Sequence, residues 1–277
     1  MLALLGWLGK ACALDVYTID MNSSKSSYAE SHVLNLLHAA LDASSARYGP
    51  YQLHVAQVRM ERDRLLLEML KGDMVNLSGQ VTSIEWEQKL IPIRIPIDKG
   101  ITCYRIGLID GRNQAEFSAI RTLAQLKRVP LGSGRQWSST MTYRQAGFNV
   151  VEGTVGMHSM LAAGRFRFFP RAIDEAFHER DASLAFFPTV AVESSLALYV
   201  PLPRYFFIGG GQQRLAQRLE YGLQRLIADG GYDRIFHAAY DELIEKAGLR
   251  KRRIFRIDNP LLSPQTPLSN KAYWYVP

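Results

Sequence analysis

Cysteine is scarce in this chain, which has only Cys12 and Cys103 among its 277 residues. Two thiols cannot build a disulfide framework or a four-cysteine zinc site. No apolar run approaches the roughly 20 residues that a membrane-spanning helix requires. The motifs H-E-x-x-H, G-x-S-x-G and Walker A are also absent, and the six histidines are scattered. We therefore predict no metal, no cofactor and no catalytic residue.

The composition is that of a globular protein, with 47% hydrophobic and 21% charged residues. Lysine and arginine total 33 against 26 acidic residues, which gives a net charge of +7. Such an excess can serve nucleic acid, an anionic ligand or an acidic surface, or it can simply follow genome composition. Aromatic and basic residues are interleaved only at residues 166–169, which is thin support for single-stranded nucleic acid. We expect no nucleic-acid partner.

The first residues are typical of an export signal. Residues 2–8 form a short apolar run, and Ala11-Cys12-Ala13 follows it as an A-x-A cleavage pattern. We predict a signal peptide over residues 1–13 and a periplasmic location for the mature chain. The alternative is a buried N-terminal strand or helix, because no basic residue precedes the apolar run.

Strand-like and helix-like stretches alternate along the rest of the chain. Val33, Leu37 and Leu41 have the spacing of one helix face, and residues 214–227 form a clear amphipathic pattern. This alternation predicts an α/β fold with mostly parallel strand pairing. The Gly-Ser-Gly sequence at residues 132–134 predicts a turn before a helix, where free backbone N–H groups would bind an anion or a carboxylate.

Three segments together resemble a known family. Residues 82–92 read Thr-Ser-Ile-Glu-Trp-Glu-Gln-Lys-Leu-Ile-Pro. Residues 160–166 read Met-Leu-Ala-Ala-Gly-Arg-Phe, and residues 228–233 read Ala-Asp-Gly-Gly-Tyr-Asp. In this order they resemble segments of the type II periplasmic solute-binding proteins, in the amino-acid-binding branch called bacterial extracellular solute-binding protein family 3. The resemblance covers residues 14–277.

The resemblance implies a two-lobe α/β fold of the Venus-flytrap type. In this fold two extended crossover strands join the lobes, and a small ligand binds in the cleft between them. Lobe 1 would comprise residues 14–97 and 201–277, and lobe 2 would comprise residues 98–200. The crossovers would lie near residues 96–100 and 200–204, where three prolines suit stiff extended strands.

The resemblance also implies which residues hold the ligand, and two of them differ in this chain. The family uses an arginine to bind the ligand carboxylate, and Trp86 is at the matching position. It uses an aspartate to receive the ligand ammonium, and Arg167 is at the matching position. We therefore expect an anionic or non-standard amino-acid-like ligand rather than an ordinary α-amino acid.

Seven further residues are candidates for the cleft because they lie at the end of the first strand, beside the Trp86 position, on the strand leading to the hinge, at the start of the helix after residues 132–134, or after Pro170. They are Tyr17, Ser83, Arg94, Trp137, Ser138, Thr140 and Arg171. Each has a structural alternative. The aromatic residues can belong to the core, the arginines can pair with Glu85 or Glu175, and Thr140 can cap its helix.

We interpret the chain as a monomeric, non-catalytic solute-binding protein that captures a small molecule for an ABC importer or a membrane sensor. Two alternatives stay open. A degenerate sensing or regulatory module would keep the fold without the usual ligand. A dehydratase-like enzyme on this fold would need a carboxylate acid or base in the cleft, for which Glu85 and Glu175 are the candidates.

Overall fold

Two five-stranded sheets and one two-stranded sheet organise the part of the chain that the structure describes. The structure is a computed structural model that describes residues 14–20, 27–56, 58, 60–135 and 137–277. The predicted signal peptide, residues 1–13, lies outside the described residues. Within those described ranges, no helix is both long enough and apolar enough to cross a membrane.

Lobe 1 is built on the first five-stranded sheet. Its strands are β1 (Asp15–Asp20), β2 (Tyr51–Ala56), β3 (Leu77–Val81), β4 (Ile91–Ile93) and β11 (Arg204–Ile208). The strand order is β2-β1-β3-β11-β4, with β1 parallel to β2 and β3, and β11 antiparallel to β3 and β4. Its helices are α1 (Ser27–Tyr48), α2 (Arg62–Lys71), α3 (Ile84–Lys89), α9 (Gln213–Ala228) and α10 (Gly231–Ala247).

Helices cover both faces of this sheet, because alternate residues of a strand point to opposite sides. In β11, Phe206 joins the core beneath α1 and α9, whereas Phe207 joins the core beneath α2 and α3. The helices α1 and α9 cross so closely that a Cβ at Gly222 would lie 1.9 Å from the carbonyl oxygen of Ala40. Glycine is therefore required at this crossing.

Lobe 2 contains the second five-stranded sheet and the two-stranded sheet. Its strands are β5 (Tyr104–Asp110), β6 (Leu131–Gly134), β7 (Val150–Gly153), β8 (Phe169–Ala172), β9 (Val190–Val192), β10 (Leu196–Tyr199) and β12 (Arg253–Arg256). The main sheet has the order β12-β10-β5-β8 with β9 also paired to β5, and β6 pairs in parallel with β7. Its helices are α4 (Gln114–Ala119), α5 (Leu123–Lys127), α6 (Ser138–Gln145), α7 (Met157–Ala162) and α8 (Ile173–Ser183).

The Gly-Ser-Gly sequence forms part of β6 and is not the predicted turn. The N–H of Gly132 donates to the carbonyl oxygen of Phe168 at 2.9 Å, so it is not free to bind an anion. A Cβ at Gly132 would lie 2.5 Å from the ring of Phe166, and a Cβ at Gly134 would lie 2.3 Å from the indole of Trp137. The glycines make room for aromatic rings, which a sequence pattern cannot distinguish from an anion-binding loop.

The chain passes between the two main sheets at residues 94–103 and again at residues 200–203. Asp98 is fully buried in the first crossover. Its carboxylate accepts a hydrogen bond from the N–H of Gly100 at 3.0 Å and another from Oγ1 of Thr102 at 2.7 Å. These bonds fix the backbone where it enters lobe 2.

The C-terminal segment contacts both lobes. In α10, Tyr232 joins a lobe 1 core and Tyr240 joins a lobe 2 core. The chain then enters lobe 2, where β12 pairs in parallel with β10. The tail returns to the first crossover, where the N–H of Tyr275 donates to the carbonyl oxygen of Lys99 at 2.7 Å. The resemblance placed all of residues 201–277 in lobe 1, and these lobe bounds stay a prediction, while β12 pairs with β10 in the second main sheet.

Candidate binding site between the lobes

Strand register shows which edges of the two sheets border the crossovers. On lobe 1, Val81 at the end of β3 pairs with Arg204 at the start of β11, directly after the second crossover. On lobe 2, Arg105 near the start of β5 pairs with Leu198 on one side and with Ala172 on the other. The ends of β3 and β8 and the starts of β5 and β11 therefore border the space between the lobes.

The lobe 1 edge is formed by the start of α3. Ser83 caps this helix, and its Oγ accepts a hydrogen bond from the N–H of Trp86 at 3.3 Å. The Trp86 side chain is only 1% exposed and packs edge-on against Phe207, with ring centroids 5.3 Å apart. The guanidinium of Arg62 lies over the indole, 4.4 Å from the ring centroid. Arg62 is partly exposed, whereas the indole beneath it is buried in the core.

Arg94 and Tyr17 occupy different depths of lobe 1. Arg94 Nε donates to Glu87 at 3.0 Å, and Thr82 Oγ1 donates to the other oxygen of the same carboxylate at 2.5 Å. Tyr17 is fully buried, and its hydroxyl donates to the carbonyl oxygen of Leu215 at 2.9 Å. Burial raises the pKa of this hydroxyl. The Tyr17 side chain therefore lies in the lobe 1 core.

On lobe 2, two sequence-predicted residues are in contact. The guanidinium of Arg171 lies 4.3 Å from a ring centroid of Trp137, which in turn stacks on Phe169 with centroids 5.9 Å apart. The same guanidinium donates to both carboxylate oxygens of Glu179, at 2.7 and 2.6 Å, and lies 3.0 Å from Glu175. Trp137 and Arg171 thus belong to one aromatic and charged cluster at the edge of lobe 2.

The start of α6 adds hydroxyl groups beside this cluster. Thr140 is buried, and its Oγ1 donates to the carbonyl oxygen of Gly134 at 2.6 Å. It also lies 2.7 Å from Oγ of Ser133, so both contacts bind α6 to β6 within the lobe. Ser138 is partly exposed at the first position of the helix.

Arg167 lies away from these residues. Because β8 is antiparallel to β5, Arg167 lies near Asp110, at the end of β5 that is remote from the crossovers. Its guanidinium donates to both carboxylate oxygens of Glu116, at 2.8 and 2.5 Å, and this hydrogen bonding lowers the pKa of Glu116. Both Arg167 and Asp110 line a cavity of about 370 Å³. The nine sequence-predicted residues are not gathered in one place, and their roles in ligand binding remain predictions.

Sequence reasoning missed a cluster of buried charges at the crossovers. The charges of Asp98, Arg204 and Arg105 all influence the pKa of Asp174, which lies in the first turn of α8. Burial raises the pKa of Asp174 to about 7, aided by the nearby charge of Glu175 and opposed by the two arginines. Its Oδ1 is enclosed and accepts no hydrogen bond from any described residue. The sequence signals were the adjacent acids Asp174 and Glu175 and the position of Asp98 after the proline-containing stretch of the predicted crossover.

His32 of α1 reaches this cluster from lobe 1. Its Nε2 lies 2.8 Å from the carbonyl oxygen of Ile97, and its ring packs edge-on against Tyr240, with centroids 4.9 Å apart. Burial lowers the pKa of His32, against the effect of Asp98, so the neutral ring donates to the carbonyl. Over the described ranges, no group of three or more histidine, cysteine or acidic side chains could hold a metal ion.

The sequence matches no protein-family model and no curated protein, whereas the fold matches solved structures. An ancestral arginine-binding protein bound to arginine aligns with a TM-score of 0.54 and 14% identity, over 81% of this chain and 98% of that chain. The probable amino-acid ABC transporter extracellular-binding protein from Bacillus subtilis aligns with a TM-score of 0.54 and 15% identity, over 82% and 98%. An ancestral amino-acid-binding protein, described as a precursor of cyclohexadienyl dehydratase, aligns with a TM-score of 0.54 and 12% identity, over 81% and 95%.

These likenesses define the fold of the chain. They extend over nearly the full length of each of the three aligned structures, so both lobes are included. The protein has the two-lobe α/β fold of the periplasmic amino-acid-binding proteins, that is, the type II periplasmic-binding fold. The fold predicted from the order of the sequence segments is therefore confirmed.

Proposed function

We propose that the protein is a non-catalytic solute-binding protein that captures a small ligand between its lobes. The observation that carries this proposal is that both facing edges present arginines. Arg62 and Arg94 lie on lobe 1. On lobe 2, Arg105 lies near the start of β5 and Arg171 lies over Trp137. This arrangement suits a ligand with an anionic group and a planar or apolar part. The amino-acid-binding proteins with the same fold support it.

Existing ion pairs decide which of these arginines can bind a ligand. Arg94 pairs with Glu87 at 2.9 Å, and Arg171 pairs with Glu179 at 2.6 Å, so their charges are already neutralised. Arg105 is buried, its Nη1 lies 3.9 Å from Glu175, and its Nε is enclosed. Arg62 differs, because it retains N–H groups that no described residue accepts. Among these four arginines, Arg62 on lobe 1 therefore has donor groups available to a ligand.

The proposal includes a location and a partner. Residues 1–13 would direct the chain to the periplasm, and the mature monomer would present its ligand to an ABC permease or a membrane sensor. The Bacillus subtilis protein with this fold is a probable extracellular-binding protein of an amino-acid ABC transporter, which favours import over sensing.

A thermal-shift screen tests ligand binding. The panel contains standard amino acids, mono- and dicarboxylates, sulfate, phosphate and aromatic metabolites, with uncharged amides of the same carboxylates as matched controls. A compound that binds only the native state adds about 2.7 kcal/mol of stability when its concentration is about 100 times its Kd, and this raises Tm. We expect a saturable shift with an anionic compound and none with its amide. The absence of any shift across the panel would contradict the proposal and favour the degenerate module.

Asp174 favours a second candidate function, a dehydratase-like reaction. A carboxyl group with a pKa of about 7 can give and take a proton near neutral pH. The two carboxylates singled out from the sequence are less suited, because Glu85 is exposed and pairs with Lys89 at 2.7 Å, and Glu175 pairs with Arg171 at 3.0 Å. One protein with this fold is described as a dehydratase precursor.

Turnover distinguishes this second candidate from simple binding. Hydroxyl-bearing carboxylates that raise Tm are incubated with the protein and followed by proton NMR. Loss of water from the compound that stops in Asp174→Asn would support catalysis. Unchanged spectra with retained binding would support the non-catalytic protein.

A further inference from the structure

The Arg62 side chain is held in one place at the lobe 1 edge. Its guanidinium lies 4.4 Å from the ring centroid of Trp86. It donates to Oε1 of Gln80 at 3.1 Å and to the carbonyl oxygen of Val81 at 2.7 Å. Val81 is the strand residue that pairs with Arg204, the first residue of β11 after the second crossover. Arg62 is therefore fixed beside the space between the lobes.

Arg62 carries a charge that no described carboxylate neutralises by direct contact. The charges of Asp63 and Glu85 influence the pKa of Arg62, but neither carboxylate in the described chain lies within 4.0 Å of its guanidinium. A guanidinium has five N–H donors, and described residues accept from two of its nitrogens with one bond each. Burial lowers the pKa of Arg62 to about 10, so the group stays charged at neutral pH, while the side chain remains partly exposed.

The corresponding pair on lobe 2 is different. Arg171 also lies over a tryptophan, at 4.3 Å from a ring centroid of Trp137, but two carboxylates, Glu175 and Glu179, lie within 3.0 Å of it. A guanidinium that serves only to join parts of a lobe can be neutralised in this way. Arg62 has the same stacking without the carboxylates, and this leaves its charge available to a ligand.

We propose that Arg62 of α2, held over the ring of Trp86, binds the oxyanion group of the ligand, a carboxylate, sulfate or phosphate. This inference rests on the proposed function, because it names the ligand group that lobe 1 holds. Two hydrogen bonds and the aromatic ring fix the guanidinium plane in advance, which lowers the entropy lost on binding. The remaining donors of the planar guanidinium can pair with two oxygens of one carboxylate, sulfate or phosphate group. Trp86 then acts as the platform for Arg62 and does not touch the ligand.

Titration calorimetry on the full chain tests this assignment. Wild type, Arg62→Gln and Arg64→Gln are titrated with succinate, L-glutamate, sulfate and phosphate at constant ionic strength. Arg64 is an exposed residue of the same helix, so its replacement changes the net charge equally. We expect the affinity for each oxyanion that binds wild type to fall about tenfold or more in Arg62→Gln. In Arg64→Gln we expect a change of less than about twofold.

Arg62→Lys provides a second variant that keeps the charge and loses the planar fork. We expect it to bind more weakly than wild type, and this comparison decides the matter if Arg62→Gln does not fold. If only the carboxylates bind wild type, the ligand group is a carboxylate; if sulfate and phosphate bind as well, the site accepts oxyanions more generally. Either result supports the inference when Arg62→Gln or Arg62→Lys weakens the binding.

Three results would overturn the inference. If Arg62→Gln binds with wild-type affinity, Arg62 does not bind the ligand, but the proposed function still holds. If only Arg62→Lys folds, wild-type affinity in that variant leads to the same conclusion. Equal losses in Arg62→Gln and Arg64→Gln would show only an effect of net charge. If no compound on the panel binds wild type, the proposed function fails and the inference fails with it.

Discussion

The guanidinium of Arg171 lies 4.3 Å from a ring centroid of Trp137, at the edge of lobe 2 that borders the crossovers. Arg171 is only 4% exposed, and its guanidinium donates to both carboxylate oxygens of Glu179. The cluster therefore joins β8, α8 and the residue that precedes α6.

Arg171→Met tests this role in stability. The substitution keeps an apolar stem against Trp137 but removes the cation nearest to Glu175 and Glu179, so we expect the free energy of unfolding to fall by about 2–3 kcal/mol. Arg180→Met, on the same helix and paired with the exposed carboxylate of Asp181, should cost less than about 1 kcal/mol. Urea unfolding measures both. Equal effects would show that the cluster has no special role.

Asp174→Asn should change how stability depends on pH. Because the folded-state pKa of Asp174 is raised to about 7 from an ordinary value of 3.8, the native state binds more protons than the unfolded state between these values. Its contribution to stability therefore falls as pH rises from about 4 to about 7. The variant should gain stability relative to wild type across this window. The opposing contribution of His32, whose pKa is lowered, is present in both proteins.

Urea unfolding of both proteins at about pH 4.5, 5.5 and 7 measures this difference. We expect the variant's advantage to increase with each step in pH. Parallel profiles would mean that Asp174 titrates at an ordinary pKa in the native protein.

Arg218 should be essential to lobe 1. It is fully buried in α9 and donates to Oδ2 of Asp15 at 2.8 Å and to the carbonyl oxygen of Gly49 at 2.7 Å. Arg218→Met leaves a buried carboxylate with less compensation, so we expect a loss of about 3–5 kcal/mol in the free energy of unfolding. Arg225→Met, on the exposed side of the same helix, should change it by less than about 0.5 kcal/mol. A small effect for both variants would contradict the buried ion pair.

Gly100→Ala should weaken the first crossover for two separable reasons. Gly100 has a φ of 65°, in the left-handed region, and a Cβ there would lie 2.5 Å from the ring of Trp274. Together the strain and the clash should cost about 1–3 kcal/mol. A double-mutant cycle with Trp274→Ala separates them, because removing the ring relieves only the clash. Strict additivity in thermal unfolding would show that the two residues do not contact each other.

The order of three short segments was enough to predict the fold, because each segment resembles one that has a set position along the chain of the two-lobe proteins. Burial was harder to predict. Trp86 was identified by its position in a motif, but only the packing of Phe207 and Arg62 around it shows that the ring is inaccessible. Arg62 itself lies outside the matched segments, and its proximity to Trp86 is a tertiary contact that no spacing rule expresses.

The charge cluster at the crossovers has the same explanation. Asp98 and Asp174 are far apart in the sequence, and each alone looks like a surface residue. Their environment arises when the start of α8 packs against the crossovers. The Gly-Ser-Gly sequence led to the opposite error. Its glycines make room for the rings of Phe166 and Trp137, but in the sequence alone the pattern resembles an anion-binding loop.

Hydrogen–deuterium exchange most directly tests the claim that a ligand binds between the lobes. The protein is compared with and without the compound that raises its Tm most, and exchange is followed at the starts of α3 and α6 and in residues 97–103. Amides that become ordered on binding exchange more slowly. We predict slower exchange at the edges of both lobes and in the crossover. Protection confined to one lobe, or no protection at all, would contradict the account.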